Sequence, residues 1–522
     1  MKINGFTAGL CVCLFLGRVF GQTVDLLGKI VDEQAAPVSG ASVKLMNIGA
    51  TATTGSDGAY HLITASAGYQ SRLSEENIAV FLRGRELHLA CASPEPVAVE
   101  WFAANGRHMR LARPSMLAKG LHTIPLALSS LSMPGSSCGI CVVNIGDRQY
   151  RFKAALLDGN FSAAFCPVSV DDRPRASKVA VDVIVDTMRI TKTGYDTVRI
   201  CIGQYADVMP DVYLTTPSGY PRMILNNAAT VLTMYKPDAA TGYCRGSRFD
   251  WSGIIGRVKC IGHVWYADYT TGTHDPLAEP TGTAGEFGID SVNGYGNQAF
   301  LKIGVGKLLG TGGAYNFRTN YQILDPGVWT VTRGKYWMQF SHQIAMVNGY
   351  DYDYVKRITI GDSTPVYTLD YYLKNTGTKS IVTDHYTHNF SLIDDKPVAG
   401  NYKVTLGFAP TLQQQTSAPG SWASMTTING KVISITATLN GSDYLWATFG
   451  GRSNTVADNS AIVTETTGKA ALKIEGDWVP YKYNFWASPR SVCPEPYITV
   501  NLNPGEEMQW KDTYTAYPNG VQ

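Results

Sequence analysis

Residues 496–510 read PYITVNLNPGEEMQW. Apolar Ile498, Val500 and Leu502 alternate with Thr499 and Asn501, a period of two that suits a strand with one buried face. A Pro-Gly pair at 504–505 breaks the run, and a second run then ends on Trp510. The same texture returns in YDYDYVKRITI (350–360), VYTLDYYLKNTG (366–377) and KVISITATL (431–439). From about Tyr220 to residue 517 the chain is rich in Tyr, Trp and Gly, without a convincing amphipathic helix. No internal period runs through it, which argues against a propeller or a solenoid. One large antiparallel β-sandwich is the natural way to bury so many one-faced strands.

Working toward the N-terminus, the 522 residues suggest about three or four domains at about 100–200 residues each. Residues 1–21 pair Lys2 with an apolar run and end on Gly21, the pattern of a secretory signal. The run is too short for a comfortable membrane span, and no later stretch approaches the roughly 20 apolar residues that one needs. Without Lys2 and Arg18 the basic residues fall from 44 to 42 and equal the acidic ones. A neutral chain argues against nucleic acid or an anionic membrane surface as partner. Eight cysteines follow the signal, an even number that permits disulfides in an exported protein. Cys244 and Cys260 flank an expected hairpin and are candidates to pair. Cys138 and Cys141 form a CxxC with no second CxxC or His pair to complete a zinc set, so it reads as structural.

Three segments of the large region carry candidate chemistry. GYCRGSRFDWSGIIGRVKCIGH (242–263) places Arg245, Arg248 and Asp250 close together. Read as a regular strand, it would put Arg248 and Asp250 on one face, where buried charge is costly without water or a ligand; a surface ion pair between them is the plainer reading. TDHYTHNFSLID (383–394) holds His385 and His388 three apart, so in a strand they point to opposite faces. That spacing disfavours a two-histidine metal site, and it leaves one working residue and one solvent neighbour. NFWASPRSVCPEPYI (484–498) sets Glu495 between two prolines, in stiff surroundings whose apolar neighbours would raise its pKa toward that of a general base.

Residues 26–62, LLGKIVDEQAAPVSGASVKLMNIGATATTGSDGAYHL, resemble a carboxypeptidase-regulatory-like β-sandwich, a structural or binding module. VDTMRITKTGYDTVRICIGQYADVMPDVYL (185–214) is similar to the last strands of that module. Between them, VEWFAANGRHM (99–109) resembles a strand-turn of bacterial secretion-sorting β-domains. The implied layout is a signal at 1–21, the first part of the small sandwich at 22–81, a second small sandwich at 82–160, the end of the first with a linker at 161–216, and the large sandwich at 217–522. Residues 82–160 are either inserted or one of three consecutive sandwiches.

YTHNFSLID (386–394) and VCPEPYI (492–498) resemble, in order and local context, the catalytic segments of galactose mutarotase-like (aldose 1-epimerase-like) proteins. RGSRFDWSG (245–253) is similar to the opening of a bacterial branch of that superfamily. The resemblance covers the C-terminal 280 or so residues and implies an all-β supersandwich. It implies His388 as acid and Glu495 as base, acting without metal or organic cofactor on the C1 hydroxyl and ring oxygen of a sugar. The pair should then face one another across a pocket one sugar ring wide, near Arg248. Arg248, Asp250, His274 and Glu286 are the candidate sugar-binding residues, with Trp251, Trp478 and Trp486 as stacking platforms. Two departures stand out. Only His274, beside Asp275, matches the family's earlier histidine pair, and Pro496 replaces the usual glutamine. The expected protein is a secreted, periplasmic or surface bacterial carbohydrate-active protein whose partner is a sugar or polysaccharide. An epimerase comes first, with a polysaccharide lyase or glycoside hydrolase, or a non-catalytic binding protein, as alternatives.

Overall fold

The computed structural model describes residues 24–64, 184–268, 272–289 and 296–520, together with strand backbones between Val80 and Val170. The expected signal at 1–21 lies outside the described residues, as does Cys166. The chain divides into two compact units, residues 1–67 with 186–522, and residues 68–185. The second contains a six-stranded and a three-stranded sheet, with antiparallel pairing throughout. Glu95–Ala103 and His108–Leu117, which hold the two ends of VEWFAANGRHM, pair antiparallel.

In the first unit, segments far apart in sequence build one small sandwich. Val24–Val31 pairs antiparallel with Ala59–Thr64 and parallel with Ala206–Val208 and Val212–Tyr213. Ser42–Leu45 pairs with Asp186–Thr191 in a second sheet. Their inward residues, among them Leu26, Ile30, Val43, Met188, Ile190 and Val212, are fully buried in one core.

The remainder is all-β and built around two sheets. A ten-stranded antiparallel sheet runs from Val328–Arg333 at one edge to Thr426–Asn429 at the other. Its strand Val366–Asn375 alternates without a break: Tyr367, Leu369, Tyr371 and Leu373 point inward. Tyr367 stacks on Tyr514 at 4.8 Å and Tyr371 on Trp510 at 5.0 Å, each across a strand pair. Such pairs add about 0.5–1.5 kcal/mol beyond the area they bury. Facing it is a six-stranded sheet of β1 (Gly282–Phe287), β2 (Ile381–Phe390), β3 (Thr411–Ala418), β4 (Tyr444–Gly450), β5 (Lys482–Ser488) and β6 (Ser491–Leu502). Its order is β1-β2-β6-β5-β4-β3. Residues from both sheets share one hydrophobic core. No helix among the described residues is long and apolar enough to cross a membrane.

Two local expectations fail. Residues 242–253 are loop and bend, not strand, so the period-two placement of Arg248 and Asp250 does not hold. Cys244 and Cys260 are both free: the loop carries Cys244 into one buried cluster, while Cys260 ends the strand Ile254–Cys260 in another.

Candidate functional site

β2 and β6 start as neighbours, part, and their chains meet again at a single bridge between Ser391 and Val492. They pair from Ile381↔Leu502 to His385↔Ile498, and beyond that β2 pairs with β1 while β6 pairs with β5. Pro494 and Pro496 fall in the parted stretch, where their missing N–H groups cost no ladder bond to β2. The proline-bracketed carboxylate therefore sits in the middle of a long strand, and Glu495 stands opposite Asn484.

His388 and Glu495 meet there. His388 Nε2 lies 3.1 Å from Glu495 Oε1, and both side chains are buried. The expected gap of one sugar ring is absent. The His388 ring stacks on Phe390 at 3.9 Å and meets Phe249 and Trp486 edge-on. Its Nδ1 is buried without a hydrogen-bond partner. Burial, with Arg248 adding to it, holds His388 well below the ordinary imidazole range, and an imidazolium would leave the Nδ1 proton without an acceptor. Burial pushes Glu495 up to about 8, against the pull of Arg248.

Arg248 reaches this pair from the 242–253 loop. Its Nε donates to Glu286 Oε2 at 2.8 Å and its Nη2 to the Tyr386 hydroxyl at 2.9 Å. Tyr386 in turn donates to Glu286 at 2.6 Å. The guanidinium lies 4.4 Å from the Phe249 ring centre and 4.5 Å from that of Phe317, so aromatic faces flank a cation held by two polar partners. Arg248 thus pairs with Glu286, not with Asp250. Buried Lys302 lies behind Glu286, at 4.0 Å from Oε1; burial draws its amine down to about 8.

The other expected residues separate. Asp250 is fully buried away from the cleft, accepting hydrogen bonds from Tyr354 at 2.7 Å, the Ser252 amide at 2.9 Å and the Ser252 hydroxyl. It fastens the loop to the core and cannot touch a sugar. His274 stacks on Tyr243 at 3.8 Å, with Nε2 2.7 Å from the Tyr243 carbonyl, behind the rim residues Ala278–Pro280. His385 is no solvent neighbour: it is buried between Phe287, Tyr371 and Trp510. Trp251 is core, and only Trp486 of the three expected platforms lines the cleft. Sequence reasoning missed Tyr386 and Tyr497, which stack at 4.1 Å on the cleft wall. Each lies two positions from a predicted residue, so strand alternation was the available signal. Among the described residues no three His, Cys, Asp or Glu side chains converge as a metal set.

No protein-family model matches the sequence, and no curated protein matches it. Among solved structures, the chain is similar to a galactose mutarotase related enzyme from Lactobacillus acidophilus, at 11% identity and TM-score 0.36 over 58% of this chain and 99% of that one. It is similar to a galactose mutarotase-like protein from Lactobacillus casei, at 11% and 0.34 over 57% and 100%. An aldose epimerase homologue from C. elegans gives 11% and 0.35 over 57% and 99%.

Proposed function

We propose that the cleft performs acid–base chemistry at the anomeric centre of a sugar, as an aldose 1-epimerase does. The observation that carries this reading is the buried His388–Glu495 contact on the cleft floor. In ring opening, one member takes the C1 hydroxyl proton and the other protonates the ring oxygen. Closure to the other anomer reverses both transfers, so the two members exchange roles. A pair that keeps one proton between adjacent atoms suits that alternation. Burial raises Glu495 and, with Arg248, lowers His388, so the pair's proton rests on Glu495; its transfer across the 3.1 Å contact to His388 Nε2 makes Glu495 the base and His388 the acid for opening, with Arg248 donating to sugar hydroxyls at the mouth. Anomerisation of reducing sugars, followed by polarimetry or NMR, tests the assignment. Glu495→Gln should lower kcat about 100- to 10,000-fold while the protein still binds sugar. Full activity in that variant would defeat the reading.

The size of the cleft, ≈ 1420 Å³, favours one second reading, a lyase acting on a polymer. Release of an unsaturated uronate that absorbs in the ultraviolet would establish it in place of epimerisation.

A further inference from the structure

The cleft continues well beyond the acid–base pair. From β6 its floor crosses β5 and β4 to β3, three strand spacings or about 14 Å. Trp486 stands opposite Cys493 on one side and Trp446 on the other, and Trp446 stands opposite Thr416. Asn484, beside Trp486 on the same outward face, stands opposite Glu495. Trp486, Trp446, Asn484 and Thr416 all line the cleft. Between them Leu445, Ala447, Phe449, Phe485 and Ala487 take the inward positions and are fully buried. The two indoles therefore face outward from that inward set by strand alternation, Trp486 with one side packed against the cluster of Phe249, Phe390 and Cys493 beside His388. Both remain half-buried on an open surface. Adjacent large apolar rings rimmed by amide and hydroxyl groups mark a binding surface. Pyranose rings present the matching surface, with C–H faces for the indoles and hydroxyls for Asn484 and Thr416. The cleft also exceeds the about 300–1,000 Å³ usual for one small ligand.

We propose that the ligand is a reducing oligosaccharide, its terminal ring at His388–Glu495 and its next rings laid across Trp486 and Trp446 toward Thr416. The placement of the terminal ring rests on the acid–base reading above; the length of the ligand does not. A free monosaccharide at the pair would leave Trp446 uncovered.

The test titrates the full chain with glucose, galactose, mannose and xylose and their oligomers of up to five units, reading tryptophan fluorescence and heat. In the series that binds, affinity should rise about ten-fold from monomer to trimer, about 1.4 kcal/mol. Trp446→Ala should reduce that gain to less than about two-fold, and Trp446→Phe, which keeps a ring, should retain most of it. Equal affinity for monomer and trimer, binding by no series, or a length gain that survives Trp446→Ala would each overturn the proposal. Turnover in the wild type separates the two claims. Turnover without a length gain removes only the oligosaccharide; a length gain without turnover removes only the acid–base chemistry.

Discussion

On the proposed reading Glu495 and His388 share one exchangeable proton, whose two limits define a pH profile. Glu495 sits at about 8, above its ordinary range, because burial outweighs Arg248. As pH rises through about 8 the pair loses its proton, so kcat/KM should fall there. At the acid end a second proton arrives only well below 6.5, because His388 is depressed. Arg248 lowers Glu495, so Arg248→Gln should move the alkaline limb to higher pH. A pH series on wild type and variant checks both, and a rate that climbs through pH 8 would contradict the single-proton pair. At this scale the sequence reveals residues whose context is a regular strand. The opposite facing of His385 and His388 follows from period-two spacing, and the stiff setting of Glu495 from its proline brackets, while the choice of His388 over His385 comes from the family resemblance. The places of Asp250 and His274 do not follow, because their burial depends on a loop path and a partner, Tyr354 or Tyr243, distant in the chain.

The element that shapes the site is β6 at its parting from β2. Asn389 bridges the gap: its amide donates to the Thr387 carbonyl at 3.0 Å and the Pro494 carbonyl at 3.2 Å, and its oxygen accepts from Tyr514 at 2.8 Å. Asn389→Ala would strand the buried Tyr514 hydroxyl and the Pro494 carbonyl. Each buried polar group left unsatisfied costs about 1–3 kcal/mol. A urea titration should therefore show a loss of at least about 2 kcal/mol with an unchanged slope. A loss below about 0.5 kcal/mol would mean that the bridge is dispensable. Individual strands such as Val366–Asn375 were plain in the sequence, since alternation is a local property. The divergence of two strands was not, because it depends on which neighbour each half pairs with.

On the scale of the molecule, the all-β architecture follows from composition and alternation, while the join within the small sandwich rests on pairings that skip a whole unit. Val24–Val31 finds its parallel partners only after residues 68–185 have been passed. If that unit is autonomous, replacing it with a flexible linker of about ten Gly and Ser residues should preserve the rest. Near-wild-type melting of the shortened chain would support this, and an aggregated or molten product would refute it. The same pairing has a consequence for biosynthesis. At about 5–20 residues per second, the ribosome needs on the order of ten seconds to deliver residues 68–185. During that interval the first strand waits with one edge unsatisfied, a template for pairing with another nascent chain. The order of emergence thus leaves Val24–Val31 dependent on a chaperone during synthesis, although Val24, Leu26, Ile30 and Val31 are buried in the finished protein.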